Sequence, residues 1–219
     1  MNEEIQKYFK DNGYVIIRDF LPEDIVNISY EYCKLKVNRQ SEKHRLNLNN
    51  YMQPWDGHWG DVQIPGSYNL YGDPYFDSIL KLSTQSISDF TGLQLTPEYS
   101  YWRFYQPNDI LEKHIDRPSC EISTTLCIGY DTSNKENYIW PICITDREGK
   151  NQEIILKPGD MLIYKGCELA HWRDKFLGLC HAQVFLHFKD INGPYFDKDK
   201  LYDDRFSLGL PRKFQLFTK

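Results

Sequence analysis

Residues 101–118 read Tyr101-Trp102-Arg103-Phe104-Tyr105-Gln106-Pro107-Asn108-Asp109-Ile110-Leu111-Glu112-Lys113-His114-Ile115-Asp116-Arg117-Pro118. An aromatic strand runs into a Gln-Pro-Asn-Asp turn, and a histidine and an aspartate follow, two residues apart. Side chains at i and i+2 of an extended segment point the same way. His114 and Asp116 are therefore expected on one face, where the distant His171 can join them. Two imidazoles and one carboxylate, with coordination positions left open, suit a non-haem Fe(II) centre. An H-x-D alone is a weak signal, because a chain with six histidines yields one by chance. The residues around it must carry the argument.

Downstream, short strands punctuated by turn residues are expected at 99–105, 121–130, 138–144, 152–156, 160–165 and 180–189, a pattern that argues for a jelly roll or barrel. Parity within them is informative. Ala182, Val184, Leu186 and Phe188 form a wholly apolar set, and His181, Gln183, Phe185 and His187 a mostly polar one. Ile122, Leu126 and Ile128 alternate in the same way with Ser123, Thr125 and Cys127. If the apolar sets pack under helices, the polar sets face a hydrophilic cavity; otherwise they face solvent.

Upstream, helices are expected at 3–11 and 23–38, with strand 14–18 between them. The second helix carries Ile25, Ile28, Tyr32 and Leu35 on one stripe. A third opens at Pro74 and stops at Thr91-Gly92. Residues 39–72 show little periodicity and read as a long ordered loop.

Taken in order, several of these words resemble the Fe(II)/2-oxoglutarate-dependent dioxygenases of the prolyl-hydroxylase-like and phytanoyl-CoA-hydroxylase-like branches. They are the opening Phe9-Lys10-Asp11-Asn12-Gly13-Tyr14-Val15-Ile16-Ile17, the stretch 101–109, and His114-Ile115-Asp116-Arg117-Pro118. Leu156-Lys157-Pro158-Gly159-Asp160-Met161-Leu162-Ile163-Tyr164 follows, and then His171-Trp172-Arg173 with the strand His181 to Phe188. The resemblance covers roughly residues 5–190. It implies an α+β, mainly β fold: a double-stranded β-helix (a jelly-roll, cupin-like barrel) with N-terminal covering helices. One domain over 1–219 is expected, with a helical cover to about 97, a barrel to about 190 and a C-terminal extension beyond. The tail from Gly193, with four aspartates among aromatics, leaves an interface, a lid and a solvated extension all open.

By the same resemblance, His114, Asp116 and His171 would hold Fe(II), with 2-oxoglutarate as cosubstrate and O2 as oxidant. The implied reaction hydroxylates a C–H bond of a small molecule, amino acid or peptidyl side chain, releasing succinate and CO2. A non-oxidative cupin-like metalloenzyme and a non-catalytic ligand-binding member remain alternatives. The far carboxylate of 2-oxoglutarate calls for a fixed cation, best an arginine fork. Many members carry that cation on the last barrel strand, where this chain has Cys180 and His181. The substitutes are Arg173, which shares parity with His171, Arg103, which shares parity with Tyr105, and His181, with Tyr105, Gln183 and Thr125 beside them. For substrate, Arg117 is expected at the pocket rim, and Trp102, Trp55 and Tyr51 as an aromatic wall, though such residues also pack loops onto barrels.

Composition bounds the rest. A net charge of −5 recommends neither nucleic acid nor an anionic membrane as partner. Cysteines 33, 120, 127, 143, 167 and 180 show no paired spacing, so reduced thiols and a cytoplasmic setting are expected. The first twenty residues carry no apolar signal core, and no window is long and apolar enough to span a membrane. A small-molecule or peptidyl substrate is the expected partner.

Overall fold

The computed structural model describes residues 2–48 and 54–211. Among the described residues, three α-helices, α1 (Asn2–Asn12), α2 (Glu23–Arg45) and α3 (Pro74–Thr91), lie among eleven strands. The strands are β1 (Tyr14–Ile17), β2 (His58–Trp59), β3 (Tyr68–Tyr71), β4 (Leu95–Tyr105), β5 (Leu111–His114) and β6 (Ile122–Asp131). Then come β7 (Ile142–Thr145), β8 (Asn151–Ile154), β9 (Met161–Lys165), β10 (His171–Arg173) and β11 (Cys180–Asp190). They pair as a seven-stranded sheet in the order β1-β9-β6-β11-β4-β3-β2 and a four-stranded sheet in the order β5-β10-β7-β8. This is the mainly β double-stranded β-helix that the motif order implies.

The parity expectation is met. Ala182, Val184, Leu186 and Phe188 bury themselves with Phe76, Leu80 and Val37 between the large sheet and the helices. Ile122, Leu126 and Ile128 join the same cluster. That leaves His181, Gln183, Phe185 and His187 on the other face, all buried inside the barrel. Solvent is not what the polar sets meet.

Two upstream expectations need correction. The supposed loop 39–72 is partly regular: α2 runs on to Arg45, and β2 and β3 extend the large sheet at its edge, β3 pairing with β4. These strands are too short to show a period. The buried stripe of α2 is also different. Val26, Ser29, Cys33 and Val37 are buried, whereas Ile28 and Leu35 are exposed. Packing fit overrides hydrophobicity here: a Cβ on Gly129 of β6 would fall 2.7 Å from the Tyr30 ring, so that glycine lets α2 lie against the sheet. α3 follows its signals, with Pro74 at its start and the Asp73 side chain accepting from the Tyr75 N–H.

The C-terminal extension packs on the barrel. Arg205 is buried, donating to Asp77 Oδ2 at 2.8 Å and to the Glu98 carbonyl at 3.0 Å. Asp203 meets two residues that line the central cavity, accepting from Tyr71 and Arg117.

Candidate metal centre

The small sheet assembles the centre. Pairing of β10 with β5 sets His171 directly opposite His114, and the two rings lie 4.3 Å apart. Each imidazole is oriented by a backbone carbonyl two residues before it. His114 Nδ1 meets the Glu112 carbonyl at 2.8 Å, and His171 Nδ1 meets that of Leu169 at 3.0 Å. A proton on each Nδ1 leaves both Nε2 atoms bare and facing inward, the tautomer a metal ligand needs. Asp116, two residues past the end of β5, turns Oδ1 to within 3.7 Å of His114 Nε2 and 3.6 Å of His171 Nε2. Burial lowers the His171 pKa, and the nearby Asp116 carboxylate opposes this only in part, so the ring favours its neutral, ligating form. One donor atom from each of the three lies within 4.8 Å of the others. The geometry fits one divalent ion on one face.

No protein-family model matches the sequence, and no curated protein matches it. Solved structures do. A prolyl-4-hydroxylase from Pseudomonas putida superposes with a TM-score of 0.67 at 15% identity, over 87% of this chain and 99% of that one. SnoK, a non-haem α-ketoglutarate-dependent carbocyclase from nogalamycin biosynthesis, gives 0.64 at 12% identity over 96% and 93% of the two chains. HygX from Streptomyces hygroscopicus, solved with nickel and 2-oxoglutarate bound, gives 0.59 at 12% identity over 94% of each chain. The fold is that of the Fe(II)/2-oxoglutarate oxygenases.

Within this oxygenase fold, a second cluster lies on the inner wall behind the trio. Arg173, two residues past His171, is 1% exposed. Its Nη1 donates to the Trp140 carbonyl at 3.0 Å and its Nη2 to Gln183 Oε1 at 3.3 Å, while its Nε has no partner. No carboxylate pairs with it among the described residues. Gln183 Nε2 donates in turn to Thr125 Oγ1 at 2.6 Å, and Gln183 Oε1 also meets His181 Nε2 at 2.7 Å. Burial and the Arg173 charge push His181 down to about 3, so that ring carries no charge near neutral pH. Tyr164, on the strand after the Pro-Gly-Asp turn, sets its hydroxyl 3.3 Å from His171 Nε2.

Arg103 is placed otherwise. It lines the main cavity and donates to Asp61 Oδ2 at 2.5 Å and to Gln63 Oε1 at 2.9 Å, with Tyr105 OH 3.4 Å away. Its charge is already matched. Arg117 lines the cavity, in a bidentate pair with Asp203 at 2.6 and 2.7 Å. Burial opposes ionisation of Asp203, yet the Arg117 fork and the Tyr71 hydroxyl hold its carboxyl well below the usual range.

The cavity above the trio measures about 630 Å3, and its aromatic wall is Tyr71, Tyr99, Tyr101 and Phe185. The expected wall was different. Trp102 points away from the cavity, packing on Tyr68 and Phe76 under α3 with its Nε1 donating to Asp73. It shares parity with Phe104, whereas Arg103 and Tyr105 face inward. Trp55 is 54% exposed and does not line the cavity, and Tyr51 lies outside the described residues. The parity that oriented Arg103 already marked Tyr99 and Tyr101 as inward, so that wall was available in the sequence. Asp61 and Asp203 carried no such signal.

Proposed function

We propose that the protein is an Fe(II)- and 2-oxoglutarate-dependent oxygenase, with His114, Asp116 and His171 as the metal ligands and Arg173 as the anchor for the far carboxylate of 2-oxoglutarate. The observation that carries this reading is the pairing of an inward-facing two-His, one-carboxylate face with a buried guanidinium that has a free Nε and no acid partner among the described residues. A charge removed from water costs several kcal/mol unless it is paired. A dicarboxylate that chelates the metal at one end and meets Arg173 at the other supplies the missing partner. Gln183, Thr125 and Tyr164 offer hydrogen bonds along that path.

Fe(II) with 2-oxoglutarate bound supplies activation of O2, coupled to loss of CO2 and release of succinate. The chain's own part is positional. His114 and His171 present bare nitrogens because their Nδ1 protons are held by backbone carbonyls. Arg173 and Gln183 orient the cosubstrate. The aromatic wall seats the substrate and limits water at the reacting face. A C–H bond of a small molecule, amino acid or peptidyl side chain is the target, and hydroxylation the outcome. Arg103, neutralised by Asp61, and Arg117, neutralised by Asp203, shape the substrate side rather than hold 2-oxoglutarate. His181, being neutral, supports Gln183. All six cysteines are free thiols, which supports a reducing, cytoplasmic setting. No helix among the described residues is long and apolar enough to cross a membrane.

Anaerobic visible spectroscopy tests the reading. Fe(II) and 2-oxoglutarate together should give the weak charge-transfer band of the chelate. A wild-type protein that binds Fe(II) but develops no band with 2-oxoglutarate would overturn it and favour a non-oxidative metalloenzyme.

A further inference from the structure

A second convergence of ligand-type side chains adjoins the trio. Asp116, Cys120 and His187 bring one donor atom each within 4.8 Å of one another, which by itself suggests a second ion. The space between two of them is taken, however. Ser123 Oγ lies 2.7 Å from Asp116 Oδ2 and 3.0 Å from His187 Nδ1. An ion there would have to displace that hydroxyl, so the cluster is a hydrogen-bond relay.

The protons can be placed. Ser123 has one to give, and the carboxylate is the strongest acceptor within reach, so it goes to Asp116 Oδ2. Ser123 Oγ is then an acceptor, and His187 Nδ1 must be the nitrogen that donates to it. Burial pushes His187 down to about 4 despite the nearby Asp116, so the ring is neutral and carries its single proton on Nδ1. Its orientation is fixed twice over. Strand register sets His187 opposite Ser123, and the Tyr99 ring lies 4.5 Å away against its face. The other side of the relay is closed by Gly166, where a Cβ would fall 2.4 Å from Asp116 Oδ2 and 2.6 Å from Ser123 Oγ. The Gly166 carbonyl meanwhile accepts the Asp116 N–H at 2.8 Å.

We propose that Ser123 and His187 are positioning residues that restrict Asp116 to a single metal-facing oxygen, Oδ1, and so keep a coordination position open. The proposal rests on the assignment of His114, Asp116 and His171 as ligands. A carboxylate binds a metal through one oxygen or two, and a two-oxygen mode would occupy a site that a chelating cosubstrate or O2 requires. With Oδ2 engaged by Ser123 and hemmed in by Gly166, only the one-oxygen mode remains. Without that restraint the carboxylate can rotate onto the metal with both oxygens.

Mn(II) is the probe, added to the full chain as wild type, Ser123→Ala, His187→Leu and His187→Asn. Water-proton relaxation counts the exchangeable waters on the bound ion. Ser123→Ala and His187→Leu should each hold one water fewer than wild type. The amide of His187→Asn can offer an N–H where Nδ1 stood, so it should keep the wild-type number. The Ser123→Ala protein should also bind 2-oxoglutarate about 10-fold or more weakly once metal-loaded, in the range for loss of a support to a metal ligand. If Ser123→Ala does not fold, the contrast between the two His187 variants decides the question. A wild-type water count in Ser123→Ala or His187→Leu overturns the proposal. Leu and Asn variants that behave alike overturn it too. Wild-type protein that binds no Mn(II) at all overturns the ligand assignment itself, a result distinct from unchanged variants on a bound ion.

Discussion

Arg103 and Arg173 stand on inward faces of the same barrel, 3% and 1% exposed, yet their surroundings differ in kind. Arg103 meets a carboxylate, an amide oxygen and a phenol. Arg173 meets a backbone carbonyl and an amide oxygen, and one of its donors meets nothing. The first belongs to the architecture: it ties the segment holding Asp61 and Gln63 to β4. The second is under-satisfied in a way that a folded chain tolerates mainly where a ligand completes it. Burial alone does not distinguish a structural cation from a binding one. What separates these two is the counter-charge, which the proposed 2-oxoglutarate anchor lacks among the described residues.

The comparison matters only if a metal sits beside Arg173, and the largest expected effect tests that. His171→Ala or Asp116→Ala should lose stoichiometric Co(II) binding in a calorimetric titration, with the circular dichroism of the fold retained. A His171→Ala protein that kept one equivalent of metal at wild-type affinity would remove the centre from the position described here.

The next effect separates the two arginines. On Co(II)-loaded protein, Arg173→Met should weaken 2-oxoglutarate by about 2–5 kcal/mol, the cost of truncating one partner of a buried charged pair. Arg103→Met should change that dissociation constant only a few-fold. The roles would be exchanged if Arg103→Met were the damaging variant.

Stability should run the opposite way. Breaking the Arg103–Asp61 pair leaves a partly buried carboxylate without its counter-charge, held only by the Tyr101 hydroxyl and the Gln63 and Ile64 N–H groups, so urea unfolding of metal-free Arg103→Met should show a loss of about 3 kcal/mol. Arg173→Met removes a buried charge that has no acid partner among the described residues, and should be neutral or stabilising by about 1 kcal/mol or more. A marked loss of stability in Arg173→Met would show that the guanidinium is structural after all.

The smallest effect is a pH dependence at His181, which lies beside Arg173. Its pKa is about 3 in the folded protein against 6.5 when unfolded. The unfolded chain therefore takes up the proton first. The stability associated with the neutral ring is fully present above about pH 6.5 and is lost as pH falls towards 3, by on the order of 1 kcal/mol per pH unit. Urea unfolding at pH 7 and pH 5 should show a smaller loss in His181→Gln than in wild type. Affinity for 2-oxoglutarate between about pH 6.5 and 8.5 should stay level, because an arginine keeps its charge where a histidine anchor would lose it.

Much of this molecule was legible before the structure. The period of two along an extended segment suggested that His114 and Asp116 share a face, and the order of motifs in the family resemblance added His171 as their proposed partner. The same period assigned Ala182, Val184, Leu186 and Phe188 to the helices, and His181, Gln183, Phe185 and His187 to the interior. It also excluded Trp102 from the cavity, had it been applied to β4 as strictly as to β11. Helix α3 carried its own start and stop signals. The buried stripe of α2 did not follow its large apolar residues, because close approach to the sheet depends on shape, here the contact between Tyr30 and Gly129, and shape is a property of both partners.

What the tertiary structure alone decided is which charges are matched. The sequence by itself determined the strand periods and offered the candidate metal ligands, the candidate cosubstrate anchors Arg103 and Arg173, and Arg117 for the substrate side. Asp61 neutralises Arg103 from 42 residues away, and Asp203 neutralises Arg117 from 86 residues away. No local pattern encodes either pairing, because periodicity orients a side chain without naming what it will meet. Only the closed barrel shows that Arg173 meets no acid among the described residues, since that depends on every chain segment packed around it.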